Sequence, residues 1–273
     1  MPNNNPANSQ ALTRQLKDIL DRGSVAALAT IIEGADCVGS KLLVEQSGDT
    51  FGSFGDPSLD DAVRDYARRF LESRDVTNTF SVGSFAPELS QWRDARVMFE
   101  RVEPEPRLVI CGAGHVGASL ARFASLSGYR VTLIDDRAEF LSRKLFPDEN
   151  IHLVVAESWR DSVRAAIGNG HSVAVAVVTR GHNEDEACLQ AIMSIDIPYV
   201  GLIGSKRRTR IVLERLQHAG FDEKRIANVH APIGLDIGAV TPEEVALAIL
   251  AEIIADRRGG TGVPLSAMRR AKG

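Results

Sequence analysis

The sequence predicts an α/β protein in which a small N-terminal α+β domain precedes a Rossmann-like, doubly wound parallel sheet. Residues 107–136 combine a short apolar strand, a glycine-rich turn, a helix, a second strand and an acid. Strand and helix patterns then alternate down to residue 258, which is typical of a parallel sheet with helices on both faces. Before residue 103, short strands follow one another more closely, which favours an antiparallel sheet.

The N-terminal part, residues 1–102, is predicted to form the α+β domain. Its first ten residues, MPNNNPANSQ, are polar and are expected to form a disordered tip. Apolar residues at helical spacing predict two helices, and β-branched or alternating runs predict five strands, two of them joined as a hairpin by Ser47-Gly48-Asp49. The helices are Ala11–Leu20 and Pro57–Arg74, and the strands are Val25–Ile32, Lys41–Gln46, Thr50–Ser53, Thr77–Val82 and Arg96–Val102.

A linker, residues 103–106, separates the two parts, because the alternating prolines of Glu103-Pro104-Glu105-Pro106 favour an extended chain. The Rossmann-like domain is expected over residues 107–258 and a loose basic tail over residues 259–273. Thr241, Pro242 and Glu244 predict the capped start of the last helix. The five strands are predicted at Leu108–Cys111, Val131–Ile134, Leu153–Ala156, Val173–Thr179 and Tyr199–Ile203.

The glycine-rich turn directly follows the first of these strands. Gly112 permits the tight turn, Gly114 lets a diphosphate approach the backbone, and Gly117 lets the helix pack close to the strand. The helix N-terminus offers N–H groups and a favourable dipole to phosphates. The turn therefore predicts a dinucleotide site, although the same frame can hold another phosphate-bearing ligand or none. Its residues are Gly112, Ala113, Gly114, His115, Val116 and Gly117.

Two further residues bear on this predicted site. Asp135 ends the second strand, where a carboxylate can accept hydrogen bonds from ribose hydroxyls and would repel a 2′-phosphate. NAD is therefore expected to bind more tightly than NADP, a preference that Arg137 could weaken. His115 is compatible with ligand contact or with simply starting its helix.

In a doubly wound sheet the first and fourth strands flank the ligand crevice, which should bring the glycine-rich turn close to Thr179–Asp185. Arg180 is a candidate phosphate ligand, and Thr179 lies beside it. His182 and Asp185 are candidates for acid–base groups or metal ligands. The alternative is a solvated loop in which Asn183 or Asp185 caps the next helix.

Three cations follow the fifth strand at a place where the helix dipole disfavours positive charge. Ser205 is predicted to be the N-cap of the next helix, so Lys206, Arg207 and Arg208 fall in its first turn. A bound anion would turn this conflict into a gain, whereas the alternative is three solvated side chains. Asp236, in a later glycine-containing loop, is either a ligand contact or part of the loop's own structure.

The composition is that of an ordinary globular protein. The net charge is −4, which gives no reason to expect nucleic acid as a partner. No apolar run approaches the length of a membrane span, and the start lacks the pattern of a signal peptide. Cys37, Cys111 and Cys188 form no CxxC pair, which favours a cytoplasmic location, and the latter two are expected to be core residues.

Most of residues 107–258 resembles the xanthine dehydrogenase accessory protein family of the XdhC/CoxI type. Four ordered segments carry the resemblance: CGAGHVG from Cys111, TRGHNEDEACL from Thr179, YVGLIGSKRRTR from Tyr199 and APIGLDIGAVTPEEVALAILAEIIAD from Ala231. The resemblance implies a maturation factor that binds the molybdopterin cofactor transiently. It also implies two partners, a molybdenum hydroxylase apo-enzyme and a sulfurating enzyme.

The N-terminal domain departs from the pattern of this family. Members commonly carry a GGGCxE segment, whereas this chain has Gly55-Asp56-Pro57-Ser58-Leu59-Asp60, with Ser58 at the cysteine position and Asp60 at the glutamate position. A serine hydroxyl is a poor metal ligand and cannot carry sulfur, which puts a cysteine-dependent step of cofactor handling in doubt. Cys37 could substitute or simply pack in the core.

The expected function is thus that of a cytoplasmic accessory factor that binds molybdopterin or a nucleotide between its two domains and serves a molybdenum hydroxylase. A homodimer stays open. The first alternative is an NAD(P)-dependent oxidoreductase, which Asp135 keeps open although the sequence shows no lysine–tyrosine pair for hydride transfer. The second alternative is a non-catalytic nucleotide-binding scaffold, which Ser58 favours.

Overall fold

A computed structural model describes residues 6–34, 37–73, 75–170 and 172–270. The chain divides into two compact units, Met1–Pro104 and Glu105–Gly273. The predicted fold class is confirmed, with a small mixed unit followed by a five-stranded parallel sheet. In the described residues no helix combines the length and the apolar character needed to cross a membrane.

The first unit is an antiparallel sheet in the order β3-β2-β1-β5-β4. Side chains of a strand alternate between the two faces of a sheet. Accordingly Ala27 and Ala29 join the core that includes Phe70, whereas Ala26 packs with Ile19. The elements are α1 Pro6–Asp21, β1 Ala26–Glu33, β2 Lys41–Glu45, β3 Thr50–Gly52, α2 Pro57–Glu72, β4 Thr77–Ser81, α3 Val82–Phe85 and β5 Arg96–Val102.

The second unit is a parallel sheet in the order β10-β9-β6-β7-β8. The chain winds outward from β6 in two directions, so the predicted adjacency of the first and fourth strands is confirmed. The elements are β6 Arg107–Cys111, α4 His115–Leu126, β7 Arg130–Asp135, β8 Ile151–Val155, α5 Trp159–Ile167, β9 Val173–Val177, α6 His182–Ile192, β10 Tyr199–Leu202, α7 Lys206–His218, α8 Glu223–Ala227, α9 Pro242–Arg258 and α10 Leu265–Arg270.

Two apolar cores lie on the two faces of this sheet, because the side chains of β6 alternate. Leu108 and Ile110 pack into the core that includes residues of α4 and α9. Val109 and Cys111 pack into the core that includes residues of α5, α6 and α7, and Cys188 lies there as well. Both cysteines are fully buried, as predicted.

Two end regions differ from the prediction. Residues 6–10 of the segment expected to be disordered belong to helix α1, which begins at Pro6 because the first turn of a helix tolerates proline, and residues 1–5 of that segment lie outside the described residues. The tail expected to be loose contains the short helix α10. The predicted start of the last helix is confirmed, because Thr241 and Glu244 form a reciprocal capping box.

Candidate functional site

The carboxyl ends of the parallel strands gather the chemically interesting residues at one edge of the second unit. Backbone hydrogen bonds tie neighbouring strand ends together there. The Gly112 amide donates to Ile134 (2.7 Å), and the Val178 amide donates to Cys111 (2.8 Å). In a doubly wound sheet this edge is the ordinary place for a ligand.

The three glycines of the turn after β6 have three different surroundings. Gly112 has φ 112°, and a Cβ there would lie 2.6 Å from the carbonyl oxygen of Val178. A Cβ at Gly117 would overlap the carbonyl oxygen of Gly112. Gly114, in contrast, has φ −65°, which any residue can adopt, and a Cβ there would meet nothing within 4 Å. Gly112 and Gly117 are therefore required by packing, whereas Gly114 faces open space.

Helix α4 begins beside this open space. Gly114 is its N-cap and no side chain caps it. His115 is exposed and Val116 is half-buried at the first two helical positions. The N–H groups of a first helical turn have no partner within the helix, so they point toward a potential anion. Ala113 is different, because it is buried and its amide donates to Asp135 at 2.7 Å.

Asp135 ends β7 as a buried carboxylate with several internal donors. Its Oδ1 accepts from the backbone amide of Arg137 (3.0 Å) and from Nε of the same residue (2.8 Å), and its Oδ2 accepts from Arg137 Nη2 at 3.0 Å. Burial by itself would raise the pKa of Asp135, but the hydrogen bonds from Arg137 and from the Ala113 amide outweigh it and hold that pKa below its usual value.

Asp136 and Arg180 form an ion pair across the end of β6. Asp136 follows β7 and Arg180 follows β9, and these two strands are the neighbours of β6 on its two sides. Nη2 of Arg180 lies 2.9 Å from Oδ2 of Asp136. Both side chains are partly exposed, so the pair is weakly held, at about 0–1 kcal/mol. A phosphate arriving at the turn would find a guanidinium already in place.

Asp185, a candidate catalytic residue, lies in a buried network. Thr179 donates to its Oδ1 at 2.5 Å, and Arg208 donates to its Oδ2 from Nη2 (2.5 Å) and Nε (3.0 Å). Burial raises the pKa of Asp185, and the bonds from Thr179 and Arg208 counter part of that rise. The network joins the end of β9 to the first turn of α7. His182 lies nearby as the exposed first residue of α6.

The suggestion that Asn183 or Asp185 caps α6 is wrong. The N-cap is Gly181, and no side chain caps the helix. The side chain of Asp185 is instead fully buried and pairs with Arg208. In the described ranges no group of three or more His, Cys, Asp or Glu side chains could hold a metal ion.

The cations at the start of α7 divide into two kinds. Ser205 is the N-cap, as predicted, and its hydroxyl accepts from the Arg208 amide. Lys206 and Arg207 are exposed, whereas Arg208 turns inward to Asp185. The charge conflict seen in the sequence is therefore partly resolved within the protein. The structure places Asp236 on the surface of its loop.

Asp136 also belongs to the site, although the sequence does not single it out. Asp136 partners Arg180, and the only signal for it was a second acid directly after Asp135 at the strand end.

Two family models match this chain. A family model described as "XdhC Rossmann domain" matches residues 108–253, and one described as "XdhC and CoxI family" matches residues 19–82. The chain belongs to the XdhC family. The resemblance drawn from the sequence is therefore confirmed over both units.

Individual relatives of this XdhC-family chain are longer than the chain itself. "Uncharacterized protein YqeB" of Escherichia coli is 37% identical over 158 residues, which cover 58% of this chain and 28% of that protein. A protein of Bacillus subtilis named as a probable xanthine dehydrogenase subunit is 27% identical over 244 residues, which cover 89% of this chain and 64% of that protein. The chain thus spans only part of the curated relatives that it matches.

A solved structure shows the same fold. The crystal structure of a xanthine dehydrogenase from Bacillus halodurans matches with a TM-score of 0.64 at 23% identity, covering 92% of this chain and 67% of that chain. At this level of identity the likeness concerns the fold.

The first unit of the XdhC-family chain holds the segment that departs from the family pattern. Asp56 is the N-cap of α2 and also accepts from Trp92 Nε1 at 2.8 Å. Asp60 accepts from the Phe54 amide at 2.8 Å. These acids therefore hold the loop, and Ser58 lies exposed between them, next to the exposed Pro57. Cys37 is half-buried against the core of this unit.

Proposed function

We propose that the second unit of this XdhC-family protein binds a phosphate-bearing nucleotide or pterin at the carboxyl edge of its sheet. The observation that carries this proposal is the open space at Gly114. Packing explains the glycines at positions 112 and 117, whereas a Cβ at position 114 would meet no atom of the described residues within 4 Å. A diphosphate that lies against the backbone does require a glycine.

The surrounding groups suit a phosphate. The first-turn N–H groups of His115 and Val116 lie beside Gly114 and supply donors and the positive end of the α4 dipole. Arg180 extends over the same strand end and would exchange its bond to Asp136 for a bond to phosphate. The lysine and arginine at positions 206 and 207 lie exposed at the end of β10, where they add positive charge.

We further propose that the protein is an accessory factor for a molybdenum hydroxylase of the xanthine dehydrogenase type. Support comes from membership of the XdhC family and from the B. subtilis relative, whose name assigns it to xanthine dehydrogenase. Molybdopterin carries a phosphate, so it fits the same anion site as transient cargo. Ser58 cannot carry sulfur, and we propose that a separate sulfurating enzyme supplies it.

A pair of substitutions at Gly114 tests the binding site. Gly114→Val places a branched side chain in the ligand's space, and because φ is −65° the substitution introduces no backbone strain. We expect it to weaken nucleotide or molybdopterin binding by about tenfold or more. The loss of stability should not exceed about 1 kcal/mol, which is the cost of replacing glycine by a branched residue at the N-cap of α4. Gly114→Ala, which adds only a Cβ, is the matched control and should show a smaller loss.

The measurement is calorimetry after a thermal-shift panel with NAD, NADP, ATP, CTP and molybdopterin. If Gly114→Val bound these ligands as tightly as the parent does, the proposed site at Gly114 would be contradicted. The accessory role is tested by co-expressing the parent or Gly114→Val with a xanthine dehydrogenase apo-enzyme. We expect more hydroxylase activity when the parent is co-expressed than when Gly114→Val is. Equal activity when neither protein is added would contradict the accessory role.

A further inference from the structure

In dinucleotide-binding domains the acid at this strand end normally accepts hydrogen bonds from ribose hydroxyls. In this protein that acid, Asp135, is already hydrogen-bonded to other protein groups. Only 2% of the Asp135 side chain is exposed. Its two oxygens accept from Ala113, from the Arg137 amide and twice from the Arg137 guanidinium, at 2.7–3.0 Å. A ribose hydroxyl could bind Asp135 only by displacing one of these donors. The basis for expecting NAD, a free carboxylate at the end of β7, is therefore absent from this structure.

Arg137 is the group that this strand end presents instead. Its side chain is 28% exposed, and its guanidinium lies with Cζ 4.0 Å from the centre of the Phe140 ring. Asp135 on one side and the ring on the other hold the guanidinium in place. Of its five N–H donors, Nε and one on Nη2 bind Asp135, which leaves donors at the other edge of the fork.

We infer that the end of β7 selects a ribose that carries a 2′-phosphate, as in NADP, and that Arg137 is the specificity-determining residue. The inference rests on the proposed nucleotide site and names its ligand class. A guanidinium binds phosphate through paired, charge-assisted hydrogen bonds. Because Arg137 is already ordered by Asp135 and Phe140, it loses little side-chain freedom when the phosphate binds.

The neighbouring acid does not take over the role of Asp135. Asp136 reaches toward β9, where its Oδ2 lies 2.9 Å from Arg180, while its Oδ1 lies 3.8 Å from Arg137 Nε. Its charge is engaged by Arg180 in the absence of ligand. If Asp136 accepted from a ribose once Arg180 had turned to a diphosphate, NAD would bind more tightly than NADP. A preference for NAD would therefore identify Asp136 as the ribose-binding residue.

The test compares NAD with NADP in calorimetry, first with the parent protein and then with Arg137→Ala. We expect the parent to bind NADP about tenfold or more tightly than NAD. In Arg137→Ala the NADP affinity should fall by about tenfold, and NAD should bind as well as before or better, because Asp135 is released. Arg130→Ala is the matched control. Arg130 lies at the amino end of the same strand, β7, and pairs with Glu105.

A second comparison requires no variant, in case Arg137→Ala unfolds through loss of the partner of Asp135. The parent should be stabilised more by 2′,5′-ADP than by 5′-AMP in thermal melts at equal concentration and ionic strength. Equal or tighter binding of NAD, equal shifts with the two mononucleotides, or an NADP preference that survives Arg137→Ala would overturn the inference and leave the nucleotide site intact. Failure of both dinucleotides to bind the parent would overturn the nucleotide reading itself.

Discussion

Removal of Arg208 should destabilise the second unit strongly, because it leaves the buried carboxylate of Asp185 without its cationic partner. Asp185 is fully buried, and Arg208 supplies two of its donors at 2.5 and 3.0 Å, which leaves Thr179 as the remaining side-chain donor. Breaking a buried pair by removing one partner costs about 3–5 kcal/mol. We expect Arg208→Met, which keeps an apolar stem, to lower the free energy of unfolding by that amount at pH 7.

The same pair predicts a dependence on pH. Burial raises the pKa of Asp185, and loss of Arg208 should raise it further. Where the folded pKa of an acid exceeds the unfolded one, the folded state binds more protons and stability falls as pH rises through that interval. The cost of Arg208→Met should therefore be larger at pH 7 than at pH 5, because a protonated Asp185 needs no cation.

Urea unfolding at both pH values provides the assay. Each unit contains one of the two tryptophans, Trp92 and Trp159, and Trp159 packs against the core on the α5 side. A Trp92→Phe background therefore makes fluorescence report on the second unit. Lys206→Met, at the exposed start of the same helix, is the control and should change stability by no more than about 1 kcal/mol.

Two results would show that Arg208 does not stabilise the buried charge of Asp185. One is a loss in Arg208→Met no greater than in Lys206→Met, and the other is the same loss at pH 5 and pH 7. The double variant Arg208→Met with Asp185→Asn should recover most of the lost stability, because it removes the unpaired charge.

Two further predictions concern the glycine-rich turn and the ion pair between Asp136 and Arg180. Gly117→Ala should lower the melting temperature more than Gly114→Ala, because its Cβ would overlap the carbonyl oxygen of Gly112, whereas Gly114→Ala costs only the N-cap preference for glycine over alanine, about 1 kcal/mol; equal melting temperatures would contradict the packing role of Gly117. Asp136→Asn should tighten nucleotide binding by about two- to fivefold in calorimetry, because it releases Arg180 from a surface ion pair. Weaker binding in this variant would show instead that Asp136 contacts the ligand.

Local patterns in the sequence were sufficient to predict the fold. Strand β5 was predicted at its observed bounds, Arg96–Val102, because alternating apolar residues mark a half-buried strand. The alternation of strands and helices predicts the parallel sheet, and the usual doubly wound order predicts that its first and fourth strands are neighbours, as observed. Turn chemistry likewise predicted the caps at Ser205 and Thr241.

The partners of charged side chains at the site were not accessible in the same way. Asp185 and Arg208 are 23 residues apart on different helices, and no local period relates them. Asp135 could be placed at its strand end, but whether Arg137 folds back onto it depends on the three-dimensional course of the turn that contains Phe140. Residues that seemed available for ligands in the sequence were thus partly committed to internal pairs.

The proposed ligand position can be located from ligand-induced changes in backbone amide signals. On titration of the ¹⁵N-labelled protein with NADP, we expect the amide signals of Gly114, His115 and Val116 to shift most. A groove of ≈ 450 Å³ lies beside the start of β10 and is lined by Ile195–Pro198 and by His230. The amide signals of its lining residues should remain unchanged. Largest shifts at that groove, with unchanged signals at Gly114, would contradict the account.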